Sequence, residues 1–175
     1  MNDDAHIIYA RHDGVQPRDR LKIPLIKRCI RAALLIEGVN MPCEVSVLIT
    51  NDERIREINN EYRGIDKATD VLSFPMQEFY APGWPSRSFA EIGREAGRIP
   101  LGDIVLSADR VKIQAREHSQ TCEQETAYLT IHSVLHLLGY DHVDEAVEKR
   151  RMRDREKIIL GSALYERLIT EYGSP

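Results

Sequence analysis

The sequence lacks the features that mark secreted, membrane-spanning and disulfide-linked proteins. It has only three cysteines in 175 residues and no CxxC pair, so neither a disulfide framework nor a cysteine zinc knuckle is indicated. No apolar run approaches the roughly 18 residues that a membrane helix needs. The first residues, MNDDAHIIYARHD, are acidic and have no long apolar core, unlike a secretory signal. We therefore expect a soluble cytoplasmic protein with no membrane partner.

The sequence also lacks an excess of positive charge. It has 24 lysines and arginines against 28 acidic residues, which gives a net charge of −4. Phosphate binding usually accompanies a basic excess, so this balance argues mildly against a nucleic-acid partner, although an acidic chain can still carry a local basic surface. The length and the hydrophobic fraction of 42% are ordinary for a globular protein. They predict a single domain over residues 1–175.

Hydrophobic periodicity and turn residues predict a small α+β domain. The expected strands lie at 6–10, 43–50, 69–75 and 101–107. The expected helices lie at about 21–37, 51–63, 108–118, 122–138 and 144–171, and the second of them should turn Ile55, Ile58 and Tyr62 inward. Residues 76–100 should be irregular because they are rich in proline and glycine. About four strands in one mixed sheet, packed with about five helices, would account for this pattern.

What the sequence does contain is a cluster of histidines. Residues 132–142 read HSVLHLLGYDH and include three of the six histidines. On a helix, His132 and His136 lie one turn apart on the same face, with Cβ atoms about 5–6 Å apart. Gly139 stands where the helix should end in a left-handed conformation, and the chain reversal should bring His142 back toward the other two. The spacing predicts a metal site at the end of a core helix.

Three imidazoles predict one bound metal ion per chain. Around a tetrahedral ion they leave a fourth position open for water, as in catalytic rather than structural zinc sites. We expect Zn²⁺, although imidazole also suits nickel, copper and iron. Metzincin proteases share this histidine spacing and use the glutamate after the first histidine as general base. Ser133 occupies that position here, and its hydroxyl is too weak a base, so peptide hydrolysis is disfavoured.

Four motifs together resemble the YbeY family of bacterial endoribonucleases. They are HSVLHLLGYDH at 132–142, INNEYRGIDKATDVLSFP at 58–75, LGDI at 101–104 and MRDRE at 152–156. The resemblance covers roughly residues 43–165. Two positions depart from the family pattern, because Ser133 stands where glycine is usual and Ala68 where proline is common. Both departures exchange one small residue for another and leave the expected activity unchanged.

The resemblance implies a zinc-dependent endoribonuclease that cleaves single-stranded RNA. It implies a role in maturing the 3′ end of the small-subunit ribosomal RNA and in ribosome quality control. It also implies partners among the small-subunit ribosomal proteins and an Era-type GTPase. It places Arg63 in the metal cleft, where a guanidinium can hold the scissile phosphodiester and stabilise the transition state. Two alternatives stay open: a metzincin-like metalloprotease and a non-catalytic ribosome-assembly factor stabilised by zinc.

Several polar residues near these motifs have two readings. Asp141 adjoins a predicted ligand and either orients an imidazole or caps the next helix. Lys67 either contacts phosphate or is simply solvated. In the irregular segment, Trp84 and Arg87 belong to a mixture of aromatic and arginine residues that either contacts RNA or forms a satellite core or an interface. We expect structural roles, satisfying backbone groups at a strand entry, for Thr69, Asp70 and Ser73.

Overall fold

The computed structural model describes residues 6–78, 97–140 and 146–172, which form one sheet with helices on both faces. The strands are β1 (Ile7–His12), β2 (Cys43–Thr50), β3 (Val71–Pro75) and β4 (Ile99–Ser107). The helices are α1 (Ile23–Ile36), α2 (Asp52–Arg63), α3 (Ala108–Glu117), α4 (Cys122–Leu137), α5 (Ala146–Leu160) and α6 (Ala163–Tyr172), with a 3-10 turn at Pro17–Asp19. Within these described ranges, no helix is long and apolar enough to cross a membrane.

The four strands form a mixed sheet in the order β1-β2-β4-β3. Strands β1, β2 and β4 run parallel, and β3 pairs antiparallel with β4. The predicted α+β class with a four-stranded mixed sheet is therefore confirmed. Because β3 is the last strand in the order, one of its edges pairs with no other strand among the described residues. That edge borders the candidate site.

The predicted helix over 144–171 is divided in two, so the described residues contain six helices rather than about five. α5 ends at Leu160 and α6 begins at Ala163. Between them, the hydroxyl of Ser162 accepts a hydrogen bond from the backbone N–H of Tyr165 at 3.2 Å. A serine side chain that satisfies such an N–H caps a new helix, and this favours a break over one continuous helix.

The sheet separates a large core from a small one. Alternate β2 side chains such as Val45, Val47 and Ile49 are buried in the large core, which also takes apolar residues from α1 and from α3 to α6. On the opposite face α2 forms the small core with β3 and β4, made of Ile55, Ile58, Leu72 and Val105. This packing places the C-terminal end of α2 beside the open edge of β3.

Strand β4 comes unusually close to its neighbours at Gly102. Its φ is +140°, and a Cβ there would overlap the carbonyl oxygen of Phe74 and lie 3.0 Å from a methyl group of Leu137. Only glycine permits this approach. It explains the glycine of the LGDI motif, and it holds β3 and α4 in contact with the same point of β4.

Candidate active site

A cavity of about 600 Å³ opens between β3 and α4. The side belonging to α4, here called the helix wall, contains Tyr128, Leu129, His132 and His136. The opposite side, here called the strand wall, contains Arg63, Thr69, Asp70, Val71, Ser73 and Pro75. The cavity therefore brings together the predicted catalytic arginine and two of the three predicted metal ligands.

The two histidines of the helix wall face each other. A capping box at Thr121 and Gln124 starts α4, and buried Ile131 and Leu135 fix its other side. The Nε2 atoms of His132 and His136 are 3.2 Å apart. Two nitrogens bound about 2 Å from one tetrahedral ion would be roughly 3.3 Å apart. The separation therefore fits two imidazole ligands of a single metal ion.

A carboxylate holds one of these imidazoles from behind. The Nδ1 of His132 donates to Oε1 of Glu156 at 2.7 Å, and Glu156 is only 8% exposed. A carboxylate only accepts, so it keeps the proton on Nδ1 and leaves the Nε2 lone pair directed at the cavity. Sequence reasoning assigned no role to Glu156. The available signal was its place at the end of the MRDRE motif.

The third predicted ligand, His142, lies outside the described residues, as does Asp141. Over the described ranges, no group of three histidine, cysteine or acidic side chains surrounds a common point. Residues Tyr140 and Gly139, which precede this segment, are well anchored. Gly139 has the predicted left-handed conformation, with φ of +80°. The completed set of three histidines stays a prediction.

A buried polar network fixes the chain just after α4. The hydroxyl of Tyr140 donates to Oε2 of Glu37, and Nε of Arg155 donates to Oε1 of the same carboxylate, both at 2.8 Å. Burial, with the Glu37 contact, raises the pKa of Tyr140 to about 12. The network joins α1, α5 and the point where the chain leaves toward His142. Arg155 is thereby engaged in a structural contact.

Ser133 occupies the position of the metzincin base but is turned away from the cavity. It is fully buried, and its hydroxyl donates to the carbonyl of Leu129 at 2.8 Å. It is absent from the cavity lining. The described helix wall therefore has no general base facing the cavity at the position where a metzincin protease carries its glutamate.

Arg63 reaches the cavity from the last residue of α2. Its guanidinium donates to the carbonyl of Ser73 at 3.2 Å and lies 5.9 Å from the ring centre of Phe74. The side chain is exposed. A guanidinium carries five N–H donors in a rigid fork, so one bond to the strand leaves it able to bind an anion in the cavity.

Two polar residues of the strand wall behave differently. Asp70 accepts from the N–H of Val71, from the Thr69 hydroxyl and from the Gln114 amide, at 2.8, 3.1 and 2.9 Å, which agrees with its expected structural role. Ser73 is 8% exposed, and its hydroxyl has no hydrogen-bond partner in the described part of the chain. That differs from the structural role expected for it. A buried hydroxyl without a partner is unfavourable, and Ser73 is the lining residue of the cavity that carries one.

Of the remaining predicted RNA contacts, Lys67 lies within the described residues. Lys67 is exposed and does not line the cavity, and its carbonyl accepts from the Asn59 amide at 2.7 Å. Trp84 and Arg87 lie outside the described residues. All three assignments stay predictions.

Comparison with known proteins decides the family. The family model described as Endoribonuclease YbeY matches residues 12–163. The chain belongs to the YbeY endoribonuclease family. A YbeY endoribonuclease of Clostridium kluyveri is 42% identical over 158 residues, covering 87% of this chain and 95% of that protein. One from Clostridium botulinum strain Loch Maree is 47% identical over 142 residues, covering 78% and 85%.

A solved structure supports the fold of this YbeY family member. The solution structure of TM1509 from Thermotoga maritima matches with a TM-score of 0.56 at 25% identity, covering 95% of this chain and 92% of that one. The resemblance drawn from the four motifs and the endoribonuclease class are confirmed.

Proposed function

We propose that this protein is a metal-dependent endoribonuclease that cleaves single-stranded RNA in the cavity between β3 and α4. One observation carries the proposal: paired imidazoles and an arginine face the same cavity from opposite walls. Membership of the YbeY family supports RNA as the substrate class. The proposed cellular role is ribosomal RNA maturation in the cytoplasm, at the 3′ end of the small-subunit RNA, together with ribosome quality control.

In this proposal His132, His136 and His142 hold one Zn²⁺ ion. The 3.2 Å separation of the two Nε2 atoms supports a shared ion, and imidazole ligands favour zinc among the common metals. When bound, such an ion supplies positive charge and Lewis acidity at the reacting phosphate. Glu156 keeps the His132 ring in the required orientation and tautomer. Asp141 remains a candidate for the same task at His142.

The strand wall would bind the phosphodiester. Arg63 offers two parallel N–H groups to the non-bridging oxygens and neutralises the charge that grows on them. The partnerless hydroxyl of Ser73 donates to the same phosphate or to the adjacent ribose. Tyr128 on the other wall stays protonated, because burial raises its pKa and the nearby carboxylate of Glu156 raises it further. Its hydroxyl can therefore donate to the substrate rather than act as a base.

The products identify the attacking group. If the RNA 2′-hydroxyl attacks, one product ends in a cyclic phosphate. If water attacks, it ends in a linear phosphate. The experiment is end-group mapping of a cleaved single-stranded oligonucleotide, with and without a chelator, beside a duplex of the same sequence and beside casein.

We expect cleavage of the single strand alone, loss of cleavage on chelation and recovery on adding Zn²⁺. Full activity of protein shown to be metal-free would contradict the metal, and digestion of casein would favour the protease. The proposed partners, small-subunit ribosomal proteins and an Era-type GTPase, rest on the family resemblance. Trp84, Arg87 and Lys67 remain candidates for further contacts with RNA.

A further inference from the structure

An aromatic pair, exposed Tyr62 and half-buried Phe74, lies on the other side of β3. Tyr62 was expected to face inward with Ile55 and Ile58, and those two are buried as predicted. Tyr62 itself is 66% exposed. Its ring lies against Phe74 at the edge of the sheet, with the ring centres 5.3 Å apart and the planes inclined at 59°. A large ring at a core-spaced helix position therefore remains uncovered.

This pair is separated from the catalytic cavity by the thickness of one strand. Neighbouring residues of a strand point to opposite faces, so Ser73 lines the catalytic cavity while Phe74 lines a second cleft. Tyr62 lines that second cleft too. Arg63 stands at the open edge between them, touching the Ser73 carbonyl and the face of Phe74. A strand of RNA that passes round this edge would meet both sites.

The charge of the second cleft also suits RNA. The cleft has a volume of about 880 Å³. Its charged lining consists of Arg11, Lys27 and Arg54 against Glu61 and Asp103. Cations therefore outnumber carboxylates here, although the whole chain has a net charge of −4. Arg54 is also paired with Glu57 at 2.7 Å, so the cleft is only weakly basic, and its charge permits RNA binding without driving it.

We infer that Tyr62 and Phe74 form a stacking shelf for one unpaired nucleobase of the RNA strand whose scissile phosphate lies at Arg63. The inference rests on the proposed function and names a binding site next to the catalytic one. Aromatic side chains stack on the face of any base, with little regard to sequence. A paired base hides its faces within the duplex, so a shelf at this place selects single strands.

The test couples a change in the protein to a change in the RNA. We would measure the dissociation constant of a short oligonucleotide, intact by gel after the measurement, for wild-type protein and for Tyr62→Leu. A second oligonucleotide lacks the base on one side of the phosphate, and a third lacks it on the other. Wild-type affinity should fall about tenfold for one of the two, the usual effect of losing one stacked base. The Tyr62→Leu protein should bind the intact strand more weakly than the wild type by the same factor. Its affinity should not fall further on the strand that lacks that base.

Two variants control this experiment. Tyr62→Phe keeps the ring and should bind like the wild type. Tyr9→Leu removes another exposed tyrosine of the same cleft, 55% exposed against 66% for Tyr62, but on β1, which lies three strand spacings or about 14 Å from β3. It should show no coupling to either missing base. Melting curves should match for all of these proteins, because Tyr62 is mostly exposed.

The outcomes separate the shelf from the proposed function. The shelf would be overturned if the substitution and the missing base each lowered the affinity independently of the other. It would also be overturned if the Tyr62→Leu protein bound all strands like the wild type. Equal coupling at Tyr9 would overturn its location. If Tyr62 and the missing base are coupled in binding but the wild-type protein cuts no RNA, the shelf would stand and the proposed function would be wrong.

Discussion

The helix wall and the strand wall of the cavity are built in opposite ways. On the helix wall His132 and His136 are half-buried, 3.2 Å apart, and one ring is held from behind by a buried carboxylate. On the strand wall Arg63 is exposed and held by one 3.2 Å bond to a carbonyl, and the Ser73 hydroxyl has no partner in the described structure.

This difference matches what each wall is proposed to bind. A metal ion needs ligands fixed within a few tenths of an ångström before it arrives. A phosphodiester in a flexible strand is larger, and a long cationic side chain with spare donors can adjust to it. The helix wall is therefore prearranged, whereas the strand wall keeps hydrogen-bonding capacity for the substrate. Each of the following substitutions tests one wall.

Removing an imidazole from the helix wall should have the largest effect. His136→Ala should lose bound metal and lower cleavage by on the order of 10³-fold or more, because a metal ion contributes several kcal/mol to the transition state. Ion analysis and oligonucleotide cleavage on the same preparation measure both. His118→Gln is the matched control, because His118 lies outside the cavity. The substituted glutamine can still donate a hydrogen bond to Glu125, as His118 does. Retained metal with lost cleavage would reassign His136 from ligand to another catalytic role.

Removing the cation of the strand wall should come next. Arg63→Ala should lower cleavage by on the order of 10²-fold while metal content stays constant, because one charge-assisted donor aimed at a transition state contributes a few kcal/mol. The free energy of unfolding should change by less than about 1 kcal/mol, because the side chain is exposed. Arg63→Lys should recover only part of the cleavage activity, because a lysine ammonium keeps the charge but lacks the two parallel donors of a guanidinium. Arg56→Ala, which removes an exposed arginine from the same helix, is the control and should leave cleavage unchanged. Loss of the folding transition in the melting curve of Arg63→Ala would show that Arg63 has a structural role.

Loosening the helix wall without removing a ligand should have a smaller effect. Glu156→Gln should weaken metal affinity by roughly 10- to 100-fold, the usual effect of losing a carboxylate behind a ligating histidine. Competition with a calibrated chelator measures it. The control is Asp154→Asn, an exposed acid on the same helix. Unchanged affinity in Glu156→Gln would show that the contact stabilises the fold alone.

The smallest effect should come from Ser73→Ala on the strand wall. Loss of one neutral hydrogen bond should weaken RNA binding about threefold to tenfold. Stability should stay constant or rise slightly, because a buried hydroxyl without a partner is removed. Ser133→Ala should not affect RNA binding, since the Ser133 hydroxyl already bonds to Leu129. A fall in the melting temperature with normal RNA binding would return Ser73 to the structural role first expected.

Features set by short stretches of chain were predictable from the sequence. The alternation in 43–50 gave β2 with its observed ends, and the helical spacing over 122–138 located α4 within one residue. The facing of His132 and His136 follows from the same spacing. The alternation within a strand, helix caps and one helical turn depend on neighbours a few positions away, so the sequence carries their signals directly.

Features set by distant contacts were not predictable in this way. The contact between His132 and Glu156 joins residues 24 apart on different helices. The exposure of Tyr62 and the lack of a partner for Ser73 depend on where α2 and α4 sit over the sheet. No periodicity in the chain encodes those placements. The ligand role of His142 and the extent of the domain over 1–175 stay predictions.

The missing side chain at Gly102 sets the aperture of the catalytic cavity. A Cβ at this position would overlap the carbonyl oxygen of Phe74, which follows Ser73, and would lie 3.0 Å from a methyl group of Leu137, which follows His136. One added methyl group would force these walls apart and move the imidazoles away from the substrate-binding side. Displacements of about 1 Å in such a site can cost 10²-fold in rate. On the proposed function, the distance between the metal-binding wall and the phosphate-binding wall would therefore depend on a glycine that belongs to neither wall.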